Sequence, residues 1–263
     1  MQIYSDHVGR FDLRIIHTLD DHDGTPLLVF NGIGASIELL EPVVRGLNLP
    51  VIAFDMPGTG QSPLTFVGFG MSDYAWLGIN LLDQLGIEMV NVMGVSWGGG
   101  VAQHFARHHE HRMGKLILAA TSTGQLMVPP NLEVLMHMAS PMRYINPSYF
   151  KRIAPAIYGG DFRSNARLAI EHSKIMKAPN PFGYIQQLSA MSGWTSAFWI
   201  HQLKQETLVM AGEDDPIIPL INARIMAERI PNAMLESFDC GHLFILTRRQ
   251  QAISSIERFL VHL

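Results

Sequence analysis

The sequence predicts an α/β fold: a mostly parallel, doubly wound sheet with a helical segment inserted into it. Three observations carry that expectation. Short apolar runs of strand length alternate with helical periodicity from about residue 11 to 120. The alternation stops after Ala120 in a stretch crowded with prolines and large apolar side chains. It then resumes near residue 203 and continues to the end of the chain.

Taken in order, residues 11–18 alternate apolar and polar side chains, as a strand buried on one face does. Residues 27–31, 51–55, 89–95 and 116–120 are almost continuously apolar, the pattern of parallel strands covered on both faces. Helical periodicity fills about 36–46, 71–85 and 97–109. From Thr121 to about Gln202, Pro129, Pro130, Pro141, Pro147 and Pro155 punctuate short helical stretches, and no strand pattern survives. Met127, Met136, Met138, Met142 and Trp194 make this region dense in large apolar groups. A strand at 207–211, a helix at 219–229, a strand at 234–238 and a helix from Thr247 complete the pattern. The expected organisation is a core of residues 1–120 and 203–263 carrying a helical cap, or lid, at 121–202.

Apolar residues make up 48% and charged residues 16% of the 263, so the chain has the means to bury a sizeable core. A net charge of −4 offers no basic surface for nucleic acid, and that class of partner is set aside. Residues 1–10 include Asp6, His7 and Arg10 and lack the apolar centre of a signal peptide. The longest apolar runs are too short to span a bilayer. Cys240 is the only cysteine, so no internal disulfide can form. These points predict a cytoplasmic enzyme without a membrane span; they carry no signal for an oligomeric state.

The most informative segment is Val92-Met93-Gly94-Val95-Ser96-Trp97-Gly98-Gly99. A buried strand runs directly into Gly-x-Ser-x-Gly, and helical periodicity follows at once. Such an elbow holds its serine in a strained turn at the helix N-terminus, with small residues two positions away on either side to prevent a clash. A lone hydroxyl is a weak nucleophile and needs a base, held in turn by an acid. His242, after the last strand and preceded by Gly241, is the candidate base. The acid falls in Glu213-Asp214-Asp215-Pro216, after the strand at 207–211. Asp215 is favoured over Asp214 because Pro216 stiffens the loop there; Asp239 is too close to His242 in sequence. Backbone N–H groups of Trp97 and of Ile33, in the Asn31-Gly32-Ile33-Gly34 loop, are expected to form an oxyanion hole. Together these features predict the α/β-hydrolase fold with a Ser96–Asp215–His242 triad, and no metal or organic cofactor.

Two other patterns point elsewhere. Gly32-x-Gly34 after a strand, with Asp55 at the end of the next, imitates a dinucleotide site. Ile37 stands where the third glycine of that motif would have to be, and Asp55 runs into a turn-rich loop. His104 and His108 share a helix face at metal-ligand spacing, but no glutamate pattern accompanies them, and histidines suit a helix C-terminus.

Beyond the triad, the chain resembles the intracellular poly(3-hydroxyalkanoate) depolymerases that act on medium-chain-length storage polyesters. The resembling stretches include Leu27-Leu28-Val29-Phe30-Asn31-Gly32-Ile33-Gly34-Ala35 and Gly94-Val95-Ser96-Trp97-Gly98-Gly99. Further ones are Arg152-Ile153-Ala154-Pro155, Ile157-Tyr158-Gly159-Gly160, Gly193-Trp194-Thr195-Ser196, Asp214-Asp215-Pro216 and Gly241-His242-Leu243-Phe244. The resemblance implies ester hydrolysis by Ser96, Asp215 and His242. It also implies a water-insoluble polyester substrate held in cytoplasmic granules. A general carboxylesterase, lactonase or carbon–carbon bond hydrolase acting on small soluble substrates is the alternative within the fold.

Overall fold

The computed structural model describes residues 1–66 and 68–261. Eight strands form one sheet: β1 (Gln2–Val8), β2 (Phe11–His17), β3 (Leu27–Phe30), β4 (Val51–Phe54), β5 (Val90–Val95), β6 (Met113–Ala119), β7 (Thr207–Gly212) and β8 (Ala233–Phe238). Their spatial order is β1-β2-β4-β3-β5-β6-β7-β8. The first two are antiparallel to their neighbours, and β3 to β8 run parallel. The strands predicted from apolar runs lie where expected, to within a few residues at their ends.

Alternation within the strands explains why those runs are continuously apolar. Leu28, Phe30, Ile52 and Phe54 enter one core, while Leu27, Val29, Val51 and Ala53 enter the other. The first core is covered by α2 (Met71–Gln84) and α3 (Trp97–His108). The second is covered by α1 (Ile37–Val44) and by the C-terminal helices described below. Each fully buried leucine or phenylalanine contributes ~1.5–3 kcal/mol relative to exposure.

Between β6 and β7 the chain passes through six α-helices and a 3-10 turn at Ile200–Gln202. The α-helices are α4 (Leu132–Met138), α5 (Met142–Ile145), α6 (Pro147–Tyr158), α7 (Asp161–Ser164), α8 (Ala166–Ile175) and α9 (Pro181–Met191). Asparagines start four of them: the side chains of Asn131, Asn146, Asn165 and Asn180 accept from backbone N–H groups in the first turn of α4, α6, α8 and α9. Pro147 and Pro181 occupy the opening turn of their helices, where the missing N–H costs nothing. Phe150, Ile153, Ile157, Tyr158 and Phe162 form a separate apolar cluster there, joined by Ile217 from beyond β7.

After β7 come α10 (Leu220–Arg229), then β8, α11 (Phe244–Thr247) and α12 (Arg249–Val261). The helix expected from Thr247 is α12, and the short α11 precedes it; the two are separated at Arg248, whose guanidinium turns to Asp161 and the Asp239 carbonyl. Among the described residues, no helix is long and apolar enough to cross a membrane.

One strand escapes the sequence patterns. β1 is exposed along most of its length and has no apolar alternation to read. Its signal is the Gly9-Arg10 loop that joins it to β2, with Gly9 at φ 61° as a tight hairpin requires.

The strand order creates the crevice. From β3 the chain moves outward to β4, then crosses back to β5 on the other side of β3. At such a reversal the loops leaving the two central strands diverge and open a space beyond their carboxyl ends. The Asn31–Ile33 loop leaves β3 there, and Ser96 follows β5 directly.

Candidate active site

Ser96 has φ 53° and ψ −117°, a strained backbone for a residue with a side chain. The glycines around it are steric necessities. A Cβ on Gly94 would lie 2.4 Å from the Gly98 carbonyl oxygen, and one on Gly98 would lie 2.2 Å from that of Phe30. Only glycine at both positions lets α3 start against the ends of β3 and β5. The turn is fixed further by the Ser96 N–H, which donates to the Ala119 carbonyl at 2.8 Å.

His242 reaches Ser96 from the loop after β8. Its Nε2 stands 3.1 Å from Ser96 Oγ, and its Nδ1 stands 2.7 Å from Asp215 Oδ2. A carboxylate can only accept, so Nδ1 carries the ring proton and Nε2 is free to accept from the serine hydroxyl. Both partners are almost fully withdrawn from water, with side-chain exposures of 6% for His242 and 1% for Asp215. The second carboxylate oxygen of Asp215 accepts from the N–H groups of Ile217 and Ile218, both at 2.9 Å. The turn begun by Pro216 therefore holds the acid in place.

The ambiguity between adjacent aspartates resolves on geometry. Asp214 faces away from His242 and accepts from the Gly160 N–H at 2.7 Å and from Arg163 Nε at 2.7 Å. Glu213 accepts from the Ser237 hydroxyl. Asp239 contributes its backbone carbonyl to Arg248.

Of the N–H groups in the loop after β3, that of Gly32 donates to Asn31 Oδ1, that of Gly34 to Gln187 Oε1, and that of Ala35 to the Gly32 carbonyl. Among the described residues the Ile33 N–H has no protein acceptor, and neither has that of Trp97. The Ile33 carbonyl is held by the Tyr144 hydroxyl at 2.8 Å, and the Trp97 indole N–H donates to the Gln187 carbonyl at 2.8 Å. Unpaired backbone donors are rare in folded proteins, and these two flank Ser96.

The family profile of the α/β hydrolase fold matches residues 25–248. A poly(3-hydroxyalkanoate) depolymerase of Ectopseudomonas oleovorans is 50% identical over 238 residues, covering 90% of this chain and 84% of that protein. This chain belongs to the α/β-hydrolase family, among the poly(3-hydroxyalkanoate) depolymerases. A 2-hydroxymuconate semialdehyde hydrolase of Pseudomonas putida is 28% identical over 218 residues, covering 80% of this chain and 76% of that one. A crystal structure of a hydrolase from Pseudomonas aeruginosa PA01 superposes with a TM-score of 0.84 at 19% identity, over 99% of each chain.

In this α/β hydrolase the helical segment is tied to the loops that carry His242 and Asp215. The His242 N–H donates to the Tyr158 carbonyl at 2.8 Å, and the two rings stack with centroids 6.3 Å apart. A Cβ on Gly241 would come within 1.9 Å of that carbonyl, and one on Gly159 within 2.0 Å of the Asp214 carbonyl. The Tyr158-Gly159-Gly160 turn is thus pressed between the two loops. Gly241, visible in the sequence only as the residue before the candidate base, is needed for this close approach.

Two cavities of the hydrolase meet at Ser96. One, of about 80 Å³, is lined by Ile33, Arg143, Tyr144, Tyr158, His172 and His242. The other, an open groove of about 440 Å³, is lined mainly by apolar groups including Trp97, Met127, Leu135, Leu188 and Met191.

The decoys have structural explanations. Asp55 is fully buried and accepts from the N–H groups of Ile37, at the start of α1, and Gln61. Burial pushes its carboxyl up to about 6, against the pull of those N–H groups and the Arg14 guanidinium. A helix start already satisfied by Asp55 leaves no cradle for a pyrophosphate. His104 and His108 stack at 4.3 Å, and burial pushes His104 down to about 4. Among the described residues, no group of three or more His, Cys, Asp or Glu side chains could hold a metal ion.

Proposed function

We propose that the chain hydrolyses the ester links of medium-chain-length poly(3-hydroxyalkanoate), with Ser96 as nucleophile, His242 as general base and acid, and Asp215 as its orienting partner. The observation that carries this reading is the hydrogen-bonded line Ser96–His242–Asp215 at the floor of an apolar groove. It is supported by the depolymerase relative at 50% identity.

In the first step His242 Nε2 takes the hydroxyl proton as Ser96 Oγ attacks the ester carbonyl. The N–H groups of Ile33 and Trp97 face the oxyanion, a contribution of roughly 100- to 1,000-fold in turnover per donor. His242 then returns the proton to the departing 3-hydroxy group, leaving an acyl-enzyme. Water, activated by the same imidazole, releases the acid and restores Ser96. Every proton is carried by this chain's own groups, and the scheme uses no cofactor.

The division into a core of residues 1–120 and 203–263 and a cap of 121–202 fits this reading, with Val67, His262 and Leu263 outside the described residues. Leu126, Leu132, Met136 and Phe198 are exposed apolar side chains of the proposed cap. Such surface suits contact with a polyester granule in the cytoplasm. The test is incubation with purified medium-chain polyester granules, following released hydroxy acids by mass spectrometry. Release by the wild type and none by Ser96→Ala is expected. Efficient cleavage of small esters, lactones or carbon–carbon bonds with no release from polyester would favour the small-substrate alternative.

A further inference from the structure

We propose that Arg143 is a binding site for the free carboxylate at the end of a polyester chain, so that the enzyme shortens its substrate from the carboxyl terminus. The proposal rests on the ester-hydrolase reading above and adds the end from which the chain is read.

Arg143 lies on α5, is 2% exposed, and lines the smaller cavity together with Ser96 and His242. Its Nη1–H donates to the Tyr184 hydroxyl at 2.6 Å, and its guanidinium stands 4.6 Å from the Tyr144 ring centre and 5.2 Å from that of Tyr184. Nothing among the described residues accepts from its Nε–H. Among the described residues no carboxylate forms an ion pair with it; the ion pairs of the fold involve other arginines.

The tyrosines cannot neutralise this charge. Tyr144, Tyr158 and Tyr184 all stand against the guanidinium, and burial raises the pKa of each hydroxyl, so they offer lone pairs but no negative charge. The hydroxyl of Tyr184 donates onward to the Met138 carbonyl and that of Tyr144 to the Ile33 carbonyl. Of the two histidines lining the cavity, His242 is hydrogen-bonded to Asp215 and Ser96, and His172 is held down to about 4 by burial and by Arg143 itself. Among the described residues, Arg143 is the only Lys, Arg, Asp or Glu lining this cavity. A buried cation without its counter-ion is costly to keep, and a guanidinium with an unpaired donor is shaped for a carboxylate.

The two cavities give the charge a direction. The smaller one, where Tyr144, Tyr158 and His172 stand among aliphatic side chains, would take the end of a chain, whereas the groove that also reaches Ser96 is larger, more open and apolar. A terminal 3-hydroxyalkanoate unit with its carboxylate on Arg143 presents the last ester bond to Ser96. Attack on that carbonyl breaks its bond to the terminal 3-oxygen. The terminal unit leaves as the hydroxy acid with the proton from His242, its carboxylate unchanged. Water then hydrolyses the acyl-enzyme, and the chain, one unit shorter, departs with a new carboxylate.

The experiment compares the linear dimer of 3-hydroxyoctanoate as free acid and as methyl ester, with p-nitrophenyl octanoate as a neutral reference. The wild type should prefer the free acid in kcat/KM by roughly 10- to 100-fold, chiefly through KM, as expected for a charge-assisted contact. Arg143→Met should collapse that ratio towards unity, and Arg143→Lys should keep part of it. If Arg143→Met does not fold, the wild type still decides: 3-hydroxyoctanoate should compete against p-nitrophenyl octanoate far better than its methyl ester. Equal use of acid and methyl ester by the wild type, or an unchanged ratio in Arg143→Met, overturns the proposal while leaving the esterase reading intact. Failure to cleave p-nitrophenyl octanoate and both dimers removes both.

Discussion

The site is decided by which of several chemically similar residues the loops turn inward. Asp214 and Asp215 are neighbours with the same side chain, yet one holds His242 and the other holds Gly160 and Arg163. This difference makes a direct prediction. Asp215→Asn should lower kcat on p-nitrophenyl octanoate by about 10⁴-fold, because the amide favours the wrong imidazole tautomer. Asp214→Asn should leave kcat within a factor of a few. It should cost no more than about 1 kcal/mol of stability, since its ion pair is solvent-exposed on both sides. A steady-state comparison of the two variants checks this; comparable losses of kcat would show that the acid has been misassigned. The order of the triad and the Ser96 elbow were legible in the sequence because each needs a fixed residue type at a fixed place after a strand. The isolated N–H of Ile33 was legible only in part. The loop could be located, but the Gln187 side chain that occupies the neighbouring N–H lies 153 positions away.

At the scale of elements, what could be read was whatever is buried and periodic. β3 and β4 announced themselves because both faces of each are covered. β1 did not, because an exposed edge strand has no apolar side to display. In the region from 121 to 202 the prolines were visible as interruptions, but two of them open helices, and the asparagines before them supply the caps. Asn146 accepts from the N–H groups of both Ser148 and Tyr149, each at 3.0 Å. Its helix, α6, ends at Tyr158, which meets the His242 loop. Asn146→Ala should therefore lower stability by about 1 kcal/mol, as loss of an N-cap does. Urea unfolding followed by circular dichroism measures it. A loss indistinguishable from zero would show that packing of Phe150 and Ile153, not the cap, fixes the helix start.

Across the whole molecule, acid should weaken the fold through buried histidines. His172 is packed against Phe150, Tyr158 and Phe162, and burial beside Arg143 holds it down to about 4 in the folded state. The unfolded chain binds a proton near the ordinary value of about 6.5. Stability from this group is therefore complete above pH ~6.5 and is lost as pH falls towards 4, because the unfolded state takes up the proton first. The linkage amounts to about 2 kcal/mol between pH 7.5 and pH 5. His172→Phe, which keeps an aromatic ring in the cluster, should lose correspondingly less stability over that range in urea unfolding. Equal losses for variant and wild type would place the titration elsewhere.

Ser96 Oγ should become acylated during ester cleavage. Acid-quenching the protein during turnover of p-nitrophenyl octanoate, followed by peptide mass spectrometry, tests it. An octanoyl group is expected on the peptide containing Ser96, with neither adduct nor turnover in Ser96→Ala. Acylation of another residue, or sustained turnover by Ser96→Ala, would contradict it.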